Sequence, residues 1–272
     1  MDAMPYIAMP HIAIGVRAFA WIIGGAVLGL AVGRIIPKAY TTDDSRYLVQ
    51  ATMNTVAILS ALVLGLLIAT AQRNFDARNK SIEQFAANLR LLDREIKNFS
   101  PQIEGIRDQL RRYTAQQILF LWPQSNAKDR SIIGDRQDSR SLDGIVQKVR
   151  EFTPASEAQR LVKASALKIA AELATTHWTL AVQEGSEIPS AFINVLLFWL
   201  TVLFIHFGIF AQRNALAIMM IFVCALSLAS AIYVIMDFNE PAGGFISVSP
   251  KPMQSALAQM PVSEASKLLL SG

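Results

Sequence analysis

The sequence predicts an all-α polytopic membrane protein, with four transmembrane helices at about 14–36, 50–71, 189–211 and 214–236 and a helical extramembrane domain between the second and third. Two observations predict it. Charge is scarce and unevenly placed: 17% of the residues are charged and 53% hydrophobic, against roughly 25% charged in average soluble domains. Residues 72–187 hold 18 Lys/Arg and 15 Asp/Glu, whereas the rest of the chain holds seven and six. Four windows then lack charge for long enough to cross a bilayer, whose ~30 Å core needs about 20 helical residues. In lipid a backbone amide finds no outside partner, so isolated apolar runs of this length must be helices. A soluble protein of this size could not bury four such segments. The expected divisions are 1–72, 73–187, 188–237 and 238–272.

The first window, Ala18–Gly33, is preceded by apolar Ile12–Val16. Met1-Asp2-Ala3 lacks the basic start of a signal peptide, so this span is expected to be retained. Tyr47–Gln72 is uncharged for 26 residues, Ile188–Gln212 for 25 and Asn214–Met236 for 23. Gly25, Gly29 and Gly33 recur every four residues in the first span, as do Ala57, Ala61, Gly65 and Ala69 in the second. Small residues at that spacing form a smooth stripe that lets backbones approach closely, a main source of helix association in lipid. The two stripes are expected to face each other or a neighbouring subunit. Only Gln212-Arg213-Asn214 separates the third and fourth spans, which form a tight hairpin, and Pro189 falls at the start of the third, where a missing amide costs nothing. Trp21, Tyr40, Tyr47 and Tyr233 lie near span ends, as interfacial aromatics do.

An even number of spans places both termini and the middle domain on one side. Near the span ends that side holds Arg17, Arg73, Arg78, Lys80, Arg90, Lys168 and Lys251; the other holds Arg34, Lys38, Arg46 and Arg213. The excess favours a cytoplasmic middle domain and a multi-pass protein of the cell membrane.

The middle domain opens with a heptad pattern: Phe75, Ile82, Leu89 and Ile96 alternate with Phe85, Leu92 and Phe99, Arg78 being the polar exception. This helix is expected to continue the second span. Its stripe packs either against returning helices of the same domain or, as a coiled coil, against another subunit. Ser100-Pro101 is read as opening a helix to about Trp122, Gln124–Arg140 as a loop, Leu142–Phe152 as a short helix, and Thr153-Pro154 as opening a last helix that ends near Glu184-Gly185.

Signatures of chemistry are few. No like-charge run reaches five, which disfavours nucleic acid as a partner. Cys224 is the only cysteine, so no intrachain disulfide or CxxC site exists. Glycine-rich phosphate loops, HExxH and GxSxG are absent from the sequence, so it is not read as an enzyme and calls for no cofactor and no metal. Polar residues inside membrane helices are candidate functional sites. Asn54 and His206 are singled out on that ground, beside Thr55, Asn194 and Thr201; His206 either serves ion or proton passage or is a neutral imidazole bonded to another helix. Arg34, Lys38 and Arg213 are either interfacial anchors or, in a symmetric oligomer, a basic vestibule for inorganic anions.

The tail is the most specific stretch. Asp237, Pro241, Gly243-Gly244 and Ser249-Pro250-Lys251-Pro252, with the order two spans, helical insert, paired spans, resemble the closing motif and layout of the bestrophin-like family of prokaryotic membrane proteins, over roughly Gln50–Leu257. The resemblance implies a distant link to bestrophins, which are pentameric anion channels with four spans per subunit and a cytoplasmic helical domain. The chain departs from bestrophins in lacking an acidic cluster comparable to their calcium clasp. Read without the family, Pro241 and Gly243-Gly244 force a turn, Ser249–Pro252 is extended because residues before proline avoid the helical region, and Met253–Met260 forms a short helix docked on the middle domain. The leading expectation is a homo-oligomeric pore for anions in the lipid bilayer. Its rivals are a membrane-anchored scaffold whose heptad helix pairs with partners and an intramembrane enzyme using His206.

Overall fold

The computed structural model describes residues 9–35, 43–97, 104–122, 142–184, 189–211, 214–239 and 247–260. They form eight helices: α1 (Met9–Ile35), α2 (Asp43–Lys97), α3 (Glu104–Leu121), α4 (Leu142–Glu151), α5 (Glu157–Glu184), α6 (Ser190–Phe210), α7 (Ala215–Asn239) and α8 (Lys251–Gln259). Four of them, α1, α2, α6 and α7, are long and apolar enough to cross a membrane. The chain divides into two compact units, residues 1–75 with 187–247 and residues 76–186 with 248–272. α2 is continuous and contributes to both.

The first unit is built around α1, α6 and α7. Its core gathers Ala18, Ile22 and Ala26 of α1, Leu196, Leu200 and Phe204 of α6, Ala225, Ile232 and Ile235 of α7, and only Leu67 and Ala71 from α2. Glycine sets the closest approach. A Cβ at Gly25 would lie 2.9 Å from the Thr201 carbonyl oxygen and one at Gly33 2.9 Å from that of Ile209; a Cβ at Gly29 would collide with the Ile205 carbonyl, and one at Gly208 with the Ala26 carbonyl. The glycine stripe of α1 therefore meets α6 of the same chain, not the second span. The constant offset of 176 residues (Gly25 to Thr201, Gly29 to Ile205, Gly33 to Ile209) shows that α1 and α6 run parallel and in register. The stripe on α2 has another fate: Ala61, Gly65 and Ala69 are exposed, Ala57 is half-buried, and a Cβ at Gly65 would meet nothing within 4 Å.

In the second unit the heptad residues Ile82, Phe85, Leu89, Leu92 and Ile96 are all at most 2% exposed. They are buried within the chain's own unit, alongside Ile106, Leu110 and Ile118 of α3, Ile145 of α4 and Leu173 of α5. That occupies the apolar face a coiled-coil seam would need. Phe99, the Ser100-Pro101 start of α3 and the segment 124–140 lie outside the described residues. α5 begins later than Thr153-Pro154 suggests. Ser156 Oγ accepts the Gln159 amide at 3.2 Å, and Gln159 Oε1 accepts the Ala155 amide at 2.7 Å, a reciprocal cap that outweighs proline's preference for a first turn. Lys163 Nζ closes the other end of α4 by donating to the Arg150 and Phe152 carbonyls at 2.6 and 2.7 Å.

The tail departs from its extended reading. Pro250 adopts the helical region (φ −72°, ψ −10°) and α8 starts at Lys251. Pro252 falls in the first turn, where its absent amide has no intrahelical acceptor to lose. Met253, Ala256 and Leu257 of α8 are buried, as are Val248 and Met260 on either side. The Trp122 indole Nε1 donates to the Val248 carbonyl at 2.8 Å, and Thr114 Oγ1 lies 3.8 Å from Met260 Sδ.

Candidate functional site

One cleft of about 440 Å³ collects intramembrane polar groups in the first unit, within the range of ligand-sized clefts. Helical periodicity builds it from three helix ends. α2 presents Gln50, Met53 and Asn54, spaced i, i+3, i+4 near its apolar start; α6 presents His206, Phe207 and Phe210 in its last turns; α7 presents Ala217, Met220 and Ile221 in its first turns. Asn54 and His206 thus line the same cleft. The His206 ring is half-buried between two phenyl rings, with centroids 4.8 Å away at Phe210 and 6.0 Å at Phe207. His206 lies four residues before the end of α6, about 6 Å inside it. Gln50, Asn54 and His206 all carry N–H groups, and no carboxylate lines the cleft among the described residues. The site can therefore offer hydrogen-bond donors and aromatic ring edges, which carry partial positive charge.

Gln50 is not among the residues singled out from the sequence; its i, i+4 spacing to Asn54 was the available signal. Of the basic candidates, Arg34 is exposed in the last turn of α1, while Lys38 and Arg213 lie outside the described residues. Asp237 is 1% exposed near the end of α7. Pro241 and Gly243 lie outside the described residues, and Ser249, Pro250 and Pro252 lead into α8. Among the described residues no three His, Cys, Asp or Glu side chains group to hold a metal.

The second unit has its own electrostatic features. Asp93, 8% exposed, accepts a bidentate pair of bonds from Arg107, Nε to Oδ1 at 2.9 Å and Nη2 to Oδ2 at 2.8 Å. The Tyr113 hydroxyl is buried without a hydrogen-bond partner among the described residues. Burial pushes its phenol well above the ordinary value of 10, and the Asp143 carboxylate adds to the rise.

Four apolar spanning helices, a helical unit of mixed charge and a polar cleft among span ends define an integral membrane protein of the helical, four-span class. The Bestrophin-like domain matches residues 20–253, and the chain belongs to the Bestrophin-like family. Its fold is similar to that of a bacterial bestrophin homologue from Klebsiella pneumoniae. One crystal structure of that protein, a single-residue variant, is 15% identical with a TM-score of 0.59, covering 92% of this chain and 99% of that one. A second variant gives 15% and 0.61, covering 88% and 95%. A third structure, phased on zinc, gives 15% and 0.58, covering 88% and 100%. Among curated proteins none matches the chain in sequence.

Proposed function

We propose that the chain assembles with copies of itself into a membrane channel for inorganic anions. In this reading α2 lies against its counterparts around the path, and the residue 76–186 unit faces the cytoplasm. The observation that carries the proposal is the bareness of α2. Only 11% of its most apolar window is buried within the chain, the least of the four spans, against 17% for that of α7 and 28% for those of α1 and α6, although its small-residue stripe is suited to close helix packing. Membership of the Bestrophin-like family supports the same assembly. The cleft of Gln50, Asn54 and His206 supports the choice of ion: a site rich in donors, with no carboxylate among its described lining residues, favours an anion over a cation. Arg34, Lys38 and Arg213 serve as the vestibule that concentrates anions at the adjoining membrane face. The scaffold alternative loses its main feature, since the heptad face is buried.

Purified protein in liposomes with a chloride gradient tests this. Chloride efflux that exceeds potassium efflux, and that falls several-fold in His206→Ala and Asn54→Leu variants of unchanged assembly, is the expected result. Liposomes that hold chloride as tightly as protein-free ones would refute the channel.

A further inference from the structure

A second cleft in the first unit, about 600 Å³ among α1, α6 and α7, lies at the opposite membrane face from His206 and has a different character. Its polar side chains are Arg17, Asn194 and Thr201. The Thr201 hydroxyl already donates to the Leu197 carbonyl at 2.7 Å. Arg17 and Asn194 are exposed, and neither has a hydrogen-bond or ion-pair partner among the described residues. All the other walls are apolar, Trp21, Leu197 and Phe198 among them, with Trp21 61% exposed.

Depth decides what fits. The register of α1 on α6, offset by 176, sets Arg17 level with Ile193 and Ala18 level with Asn194. Asn194 lies four residues after the start of α6 at Ser190, and Arg17, level with Ile193, lies three after it, so both sit about 5–6 Å from that helix start. A bilayer of ~40–45 Å with a ~30 Å hydrocarbon core has about 5–7 Å of interface on each side. The guanidinium and the amide therefore lie at headgroup level, and the apolar walls beneath them lie in hydrocarbon. A guanidinium without a protein partner at headgroup level attracts an anion. A second copy could supply one only with an acid at the same depth. Asp237 is the one acid of α1, α6 and α7, and it is 1% exposed and already bonded. A small hydrated anion would leave the apolar walls uncovered.

We infer that this groove seats a membrane phospholipid with an anionic headgroup. Its phosphate pairs with Arg17 and accepts from the Asn194 amide, and one acyl chain lies along Trp21, Leu197 and Phe198. Charge complementarity selects the headgroup, since phosphate and guanidinium form paired, charge-assisted bonds. The site stands whether or not the protein conducts ions.

Native mass spectrometry of the detergent-purified full chain, titrated with phosphatidylglycerol, tests the inference. The parent retains a tightly bound lipid per chain; Arg17→Ala weakens that binding about tenfold, while Arg73→Ala, which removes an exposed cation elsewhere, leaves it unchanged. Diacylglycerol, which lacks the phosphate, does not compete. On the parent protein, phosphatidylglycerol bearing a photoreactive acyl chain labels the peptides holding Trp21 and Phe198, a readout independent of any variant's folding. Equal retention by Arg17→Ala and parent, an equal loss on Arg73→Ala, competition by diacylglycerol, or labelling elsewhere would each overturn the site. A crosslink from Trp21 to a second copy would assign the groove to a subunit interface and overturn it as well.

Discussion

Gly29→Ala places one methyl group where the structure has no room. The added Cβ collides with the Ile205 carbonyl oxygen, and Gly208 faces the Ala26 carbonyl one turn away, so neither backbone can yield. The helices must part. A gap of ~0.5–1 Å forfeits about a quarter to a half of the dispersion energy of every contact across it, and overpacking of this kind costs roughly 1–3 kcal/mol. We expect about 2–3 kcal/mol at Gly29, because the obstacle is main chain and not the end of a side chain. Gly24 is the internal control: a Cβ there meets nothing within 4 Å, so Gly24→Ala should be neutral or stabilising by up to about 1 kcal/mol from helix propensity. Reversible unfolding in mixed detergent–denaturant micelles, followed by circular dichroism, gives both values. If Gly29→Ala proves no less stable than Gly24→Ala, the α1–α6 register is wrong, and the depth assigned to Arg17 falls with it.

Asp93→Asn should destabilise the second unit by about 1–3 kcal/mol, because it leaves Arg107 without its bidentate acceptor; partial exposure of the pair (19% and 12% for the two side chains) keeps the loss below that of a fully buried ion pair. Trp122→Phe keeps an aromatic ring but loses the indole N–H and orphans the Val248 carbonyl, at about 1–2 kcal/mol for the hydrogen bond; hydrogen exchange should show faster opening of residues 248–260, and unchanged protection there would contradict the docked tail. Tyr113 has a folded-state pKa raised above its unfolded value of 10, so stability is fully present below pH 10 and declines as pH rises beyond it, the unfolded chain releasing its proton first. Tyr113→Phe should remove that part of the alkaline decline without loss at neutral pH, as read in urea melts at pH 8 and pH 11.

The fold was legible wherever one physical force ruled. Absence of charge over about 20 residues fixes a span, and the four appear within a few residues of their expected bounds, α2 running on through the heptad pattern to Lys97. What stayed illegible depended on which surface meets which. The stripe Gly25, Gly29, Gly33 has a visible spacing but no visible partner; Gly208, the lone glycine of the third span, was the clue to α6. Helix starts were misread where a side-chain cap competes with proline, as at Ser156 and Gln159. For the site, Asn54 and His206 were separately legible as polar groups in apolar runs. Their meeting in one cleft follows from the packing of α2, α6 and α7, which no spacing within a single helix encodes.

In the proposed assembly the bare apolar surface of α2 is covered by further copies of the chain. Mass photometry or light scattering of the protein in lipid nanodiscs, corrected for lipid, reads the number of copies. One discrete species at a whole multiple, greater than one, of 29.9 kDa is expected. A uniform particle holding a single 29.9 kDa chain would contradict it.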